Sequence, residues 1–432
     1  MLTQKNKRYT ASIDVTYVLL WMVAFLSAIL CVIWKDKSNC SAFGVLLIIT
    51  SVLTIYRCRK APILLFFNSI TGYINISVAV LDFIFMGSFS NEYQQGLRYS
   101  NYGLAYAKMF LLQCIILALF MTPTFIKRMT DKVSIFKDFG KSNSILAVVN
   151  IVAIIVIIFT QFEGSANQGQ YVSNSNPLYE YAIFFFVLGF YYSKNNKTMR
   201  KVLASVSVIY ILNGVLNGDR SSAFMMIIAL FLLYFCDKVK MRTMLIYSFA
   251  GIVLANIIEI FRSTTLSFSG IVNALTQKSM LFFFSNTVSA SFYSGITVMA
   301  YTEHFTGNKT VLIFKWIASL LFGTTEETNI VMNAQQYFHN GGGGLYPAYF
   351  GFFTGFSGVV FASVLLGFII RKLFCSNSDW ARLMQSAILI MVFRWYLYTP
   401  VSLYRTIFVN FNILIIIFYV ADRMLYGTRH QK

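Results

Sequence analysis

Apolar runs recur along the whole of this chain, each close to the ~20 residues that a helix needs to cross a hydrocarbon core of about 30 Å. Lipid offers no hydrogen bonds, so a spanning segment must satisfy its own backbone, and a helix does so within one segment. The chain therefore reads as all-α and polytopic, one membrane domain over residues 1–432. Spans are expected near 15–34, 42–56, 62–86, 109–126, 144–160, 178–193, 202–216, 223–236, 244–261, 348–370, 383–398 and 406–420, about twelve in all. Only 12% of residues are charged, against about 25% in soluble proteins. The first run, "VTYVLLWMVAFLSAILCVIW", is full length and has no small-residue cleavage site after it, so it reads as a span rather than a signal peptide.

A net charge of +19 raises the question of nucleic acid. Its distribution answers otherwise. Most of the 35 basic residues fall in "KNKR", "RCRK" (57–60), 127–143, "KNNKTMRK" (194–201), "DKVKMRT" (237–243), 371–382 and the C-terminal tail. These are alternate connections, which is the positive-inside pattern. The expectation is an inner-membrane protein with both termini cytoplasmic, membrane lipids as its surroundings and no nucleic-acid partner. The six cysteines lie mostly within or near apolar runs, without CxxC or metal spacing, and read as small apolar residues.

One outside loop, 262–347, is far longer than the rest. Within it "LFFFSNTVSASFYSGITVMA" (281–300) and "VLIFKWIASLLFG" (311–323) read as interfacial or re-entrant helices, or as two further short spans. Lys315 and Trp316 suit the headgroup level. The glycines of 341–344 read as a flexible connection.

Eight ionisable residues fall at the outer level of this topology: Asp82, Glu180, Asp219, Arg220, Glu259, Arg262, Arg394 and Arg405. Burial in lipid is costly, so each needs a reason. Singly, each can snorkel or cap, and Glu259 can pair with Arg262 three residues on. Four arginines on the face that disfavours positive charge point instead to an anion held in the outer leaflet. The stretch "NGDRSSAFMM" (217–226) fits such a site. Asp219, Ser221 and Ser222 can cap the helix that follows, a helix N-terminus attracts phosphate, and Arg220 offers a planar fork of donors.

"NGDRSSAFMMIIALF", the long late loop and "GLYPAYFGFFTGFSGVVFASVLLGFIIRK" together resemble the Wzy-type O-antigen and capsule repeat-unit polymerases. The resemblance implies a C-type, glycosyltransferase-like membrane fold. It implies a reaction that joins undecaprenyl-pyrophosphate-linked oligosaccharides on the periplasmic face, without a cofactor. It implies a pyrophosphate site at Arg220 and Ser221, with Arg262, Arg405 and Arg394 at the same outer level. Partners would be the lipid-linked oligosaccharide, a chain-length regulator and the flippase of the same pathway.

A general base could assist the acceptor hydroxyl. Of three histidines, His304 and His339 lie in the long loop; the related O-antigen ligases are expected to use a loop histidine, which favours His339, just before the glycines. Glu326 and Glu327 in "TTEETN" read as solvated charge, and no acidic metal motif is visible outside. "GFFTG" (351–355) matches a small-xxx-small packing pattern. The alternatives are a lipid-linked oligosaccharide flippase, whose charges should reach the bilayer midplane, and an O-antigen ligase of the same fold class.

Overall fold

Every regular element among the described residues is helical, and several helices begin where a side chain accepts from their first N–H groups. The computed structural model describes residues 14–88, 96–131, 136, 139–160, 177–216, 219–235 and 286–429, with isolated positions between 243 and 284. Asp14 caps α1 (Val15–Ile33), and Ser100 caps α4 (Asn101–Phe120) by accepting from Gly103 N–H. Between them run α2 (Ser41–Arg57) and α3 (Pro62–Val78), the latter with proline in its first turn. After α4 come α5 (Pro123–Asp131), α6 (Ser144–Thr160), α7 (Ala182–Tyr192), α8 (Lys197–Leu216) and α9 (Arg220–Tyr234). The second half holds α10 (Asn286–Ala300), α11 (Lys309–Phe322), α12 (Ile330–Gln335), α13 (Leu345–Thr354), α14 (Phe356–Cys375), α15 (Asp379–Ile390) and α16 (Asn412–Arg429).

Seven of these helical stretches are long and apolar enough to cross a membrane, and three shorter apolar helices accompany them. These are counted among the described residues only, and several of the expected bounds shift for local reasons. The expected 348–370 span is two helices. Gly355, at φ +66°, breaks the chain, and α13 folds back so that Tyr346 donates to the Ala362 carbonyl of α14. The expected 109–126 span starts earlier, at the Ser100 cap, and ends before Pro123. The 244–261 span lies outside the described residues, apart from isolated positions.

Three π-helical segments interrupt the bundle: Ala79–Ile84 after α3, Phe393–Tyr398 after α15, and Ser402–Phe411 leading into α16. Such segments are rare and frequently mark functional sites. Asp82, Arg394 and Arg405 each lie in one of them.

The connections expected on the basic side meet at one end of the molecule. Arg128 donates to the Cys375 carbonyl, Lys141 pairs with Asp422 at 3.2 Å, and the Tyr191 hydroxyl donates to Asp379. Arg57 is buried there, 3.1 Å from Asp14 and 3.1 Å from the Met121 carbonyl.

The core is built on large aromatic side chains, with Trp395, Tyr106, Tyr179, Tyr210, Tyr346 and Tyr396 fully enclosed. α10 is buried over most of its length, against Phe83, Tyr106 and Phe110. α11 is two-faced: Leu312, Trp316 and Ser319 face inward, while Val311, Phe314, Ile317 and Leu321 are exposed. Trp316 sits in an aromatic nest with Tyr349, Phe350, Phe353 and Tyr404. The cysteines Cys31, Cys40, Cys58, Cys114 and Cys375 are free thiols.

Candidate functional site

α9 opens on a carboxylate. Asp219 is buried and accepts from the Ser222 N–H at 3.1 Å, the Ser222 hydroxyl at 2.7 Å and the Ser221 hydroxyl at 3.0 Å. The cap expected from the sequence is thus formed, and it has a cost for the phosphate reading. Ser221 has one hydroxyl proton and spends it on Asp219, and the helix start already carries an anion. What remains for a second anion at this turn is Arg220, the first residue of the helix; its backbone is described and its side chain is not.

Beside the α9 start, Tyr179 and Tyr210 stack at 4.2 Å, and each hydroxyl donates to the other's backbone carbonyl at 2.8 Å. This clasp joins α8 to the 3-10 turn Pro177–Tyr181 that precedes α7. The turn presents Glu180, which pairs with Arg394 at 2.8 Å. Arg394 also lies over the Tyr398 ring, at 5.5 Å. Its neighbour Phe393 meets Phe224 of α9 edge to face, so Arg394 and the start of α9 belong to one region.

The glycine run completes that region. Gly342, Gly343, Gly344 and Leu345 all have positive φ, a conformation that glycine adopts at little cost. A side-chain carbon at Gly343 would lie 3.0 Å from the Ser291 hydroxyl and 3.1 Å from Tyr398. The Tyr106 hydroxyl donates to the Gly344 carbonyl, and Asn340 donates to Thr297 at 2.9 Å. The run is a packed loop on α10, not the free connection expected. Its close approach to Tyr398 brings it next to Arg394.

Arg405 sits elsewhere. It lies on the Ser402–Phe411 segment, next to Tyr404, whose hydroxyl is 2.7 Å from that of Tyr346 and whose ring packs on Trp316 of α11. Its guanidinium faces Gly323, at 3.5 Å from where a side-chain carbon would begin. It is half-buried and has no ion-pair or hydrogen-bond partner among the described residues. Gly323 also lines a cleft of about 570 Å³ with Lys315, Ala318, Ser319, Phe322, Thr325, Glu326 and Glu327. Glu326 and Glu327 are both exposed there, and Glu327 pairs with Lys315 at the surface.

His339 is exposed, one residue before the anchored Asn340, at the rim of the glycine loop. His304 stacks on Tyr337 at 4.6 Å. Glu259 and Arg262 lie outside the described residues. Asp82 has an internal reason: it pairs with the buried Arg98, and Ser289 of α10 bonds to both. Arg98 went unmarked in the sequence, although an arginine in an outer loop beside an acidic span end is a readable signal. Gly351 of "GFFTG" packs against the sulfurs of Met109 and Met299, whereas Gly355 makes no such contact and serves the break. No group of three metal-binding side chains exists among the described residues.

No protein-family model matches this sequence, and comparisons with curated proteins and with solved structures give no significant match.

Proposed function

We propose that this chain is an inner-membrane glycosyltransferase that polymerises undecaprenyl-pyrophosphate-linked oligosaccharide repeat units into O-antigen or capsular polysaccharide. The observation that supports the reading is the meeting of interrupted helices in one region: the Arg220 start of α9, the Arg394 segment and the packed glycine loop. In the proposed reaction a hydroxyl of one lipid-linked repeat unit attacks the anomeric carbon of another chain, and the C–O bond to undecaprenyl pyrophosphate breaks. Negative charge grows on the departing pyrophosphate, so fixed cations are the main catalytic requirement. Arg220 takes that role in this reading. Arg394, now balanced by Glu180, joins it by exchanging a carboxylate for a phosphate oxygen. The acceptor proton passes to a base at the loop rim, for which His339 is the candidate.

A flippase for the same lipid-linked oligosaccharide is the second reading. The feature that bears on it is a cavity of only about 20 Å³ between α2, α3, α4 and Tyr396, where Thr50, Asn68 and Asn75 bring polar groups into the bundle.

Deleting the gene and resolving lipopolysaccharide on a gel tests the proposal. One repeat unit per core supports a polymerase. Core without any repeat unit indicates a flippase or a ligase and removes the polymerase.

A further inference from the structure

We propose that Asp82, Arg98 and Ser289 are positioning residues: together they fix the start of α10 and so seat the glycine loop beside Arg394. What the seat serves rests on the polymerase reading; the seating itself does not.

The Asp82 and Arg98 side chains are almost wholly enclosed. Taking two charges out of water can cost more than their attraction returns, and an apolar pair of similar volume is often as stable. What the ion pair adds is direction. Asp82 Oδ1 accepts from Arg98 Nη2 and from the Ser289 hydroxyl at 2.8 Å, and Nη2 also donates to the Ser289 oxygen at 3.0 Å. Three parts of the chain thus close on one point: the π segment Ala79–Ile84, the turn before α4 and the first turn of α10. A shift of α10 by one residue, about 1.5 Å along its axis with a turn of the helix, would break both Ser289 contacts. The surroundings are shaped to the guanidinium. Gly87 has φ +75°, and a side-chain carbon there would run into Arg98. Arg98 also lies over the ring of Tyr293 in α10, at 5.4 Å.

The glycine loop rests on the same turns of α10. A side-chain carbon at Gly341 would lie 3.4 Å from the Ala290 Cβ, one at Gly343 would meet Ser291, and Gly344 lies beside Gly295. Ala290 and Ser291 directly follow Ser289, so the height of Ser289 sets the surface on which the loop sits. Gly343 also meets Tyr398, whose ring lies under Arg394. The enclosed pair therefore acts by placement, through α10, and not by contact with substrate.

Disulfide trapping reads the seat directly. Gly341 and Ala290 stand close to the Cβ separation of a disulfide, and Gly341 is exposed and free of positive φ. The full chain carrying Gly341→Cys and Ala290→Cys is oxidised in membranes with copper phenanthroline, and peptide mass spectrometry times formation of the 290–341 disulfide. Rapid closure is expected. Adding Ser289→Ala, which keeps both charges, should slow closure about tenfold, the weight of a hydrogen bond to a charged group. Adding Asp82→Leu with Arg98→Met, which leaves no unpaired charge behind, should slow it at least as much while a thermal midpoint shows the protein still folded. Should that variant fail to fold, Ser289→Ala decides alone. Phe292→Leu loosens the same helix by packing and leaves the pair intact, so it should close at nearly the unaltered rate. Unaltered closure with Ser289→Ala would overturn the proposal. So would equal slowing by Phe292→Leu, which would reduce the effect to general loosening. The cross-link is read without turnover, so the two readings fail separately: normal polymer from a chain whose loop no longer closes would remove the loop from the polymerase site and leave the seating intact.

Discussion

Arg220 follows a carboxylate that already occupies the helix start, so an anion at this turn depends on the guanidinium rather than on the helix dipole. Arg220→Ala is expected to abolish polymer and Arg220→Lys to leave little, because lysine lacks the bidentate fork. The loss corresponds to about 2–4 kcal/mol of transition-state stabilisation, or roughly 10²–10³ in rate. Asp219→Ala is a different change: it removes a cap and lowers stability by about 1–2 kcal/mol, read as a thermal shift in detergent. His339→Ala should lower polymer yield at unchanged protein level, and wild-type chain length in that variant would remove it as the base. At the other end, Asp14 is raised by burial but lowered more by the Thr16 hydroxyl, Arg57 and the Tyr17 N–H, so its carboxyl sits below the ordinary 3.8. Its stabilisation is present above that value and fades as pH falls through the folded value. Unfolding measured in acid should show Asp14→Asn converging on the unaltered protein. The cap at Asp219 was legible because capping is local and its residue types are few. The Glu180–Arg394 pair was not, because two charges on separate spans show no spacing signal.

The glycine run and the paired helices α13 and α14 show what periodicity misses at the scale of an element. Hydropathy over 348–370 is continuous, yet Gly355 reverses the chain. Four glycines read as slack when their conformation is unknown; their positive φ and close approach to α10 make them rigid parts. Gly343→Ala is expected to cost about 1–3 kcal/mol, because φ +84° is strained for alanine and the added carbon meets Ser291 and Tyr398. The same variant should reduce polymer more than its stability loss explains, since Tyr398 underlies Arg394. A polymer yield that simply follows protein level would separate the loop from the site. The π segments were likewise invisible, because one extra residue in a helical turn leaves an apolar pattern almost unchanged.

At the scale of the molecule, three of the connections grouped by their lysines and arginines, 127–143, 371–382 and the C-terminal segment, come together through Lys141–Asp422 and Arg128–Cys375. Reporter fusions after residues 198 and 376 should therefore be cytoplasmic, and a fusion after 335 periplasmic. A periplasmic signal at 198 would invert the placement of Arg220 and remove its access to a periplasmic substrate. The number of spans was less legible, because a short apolar helix such as the 11-residue α7 is not marked as a span by hydropathy alone. The functional reading rests on the region of Arg220, Arg394 and the glycine loop. Reconstitution tests that reading most directly: the purified chain in proteoliposomes, supplied with undecaprenyl-pyrophosphate-linked repeat units as sole substrate, its products resolved by length. The account predicts a ladder of polymerised units with matching release of undecaprenyl pyrophosphate, lost with Arg220→Ala. Single units carried across the bilayer without any ladder would contradict it.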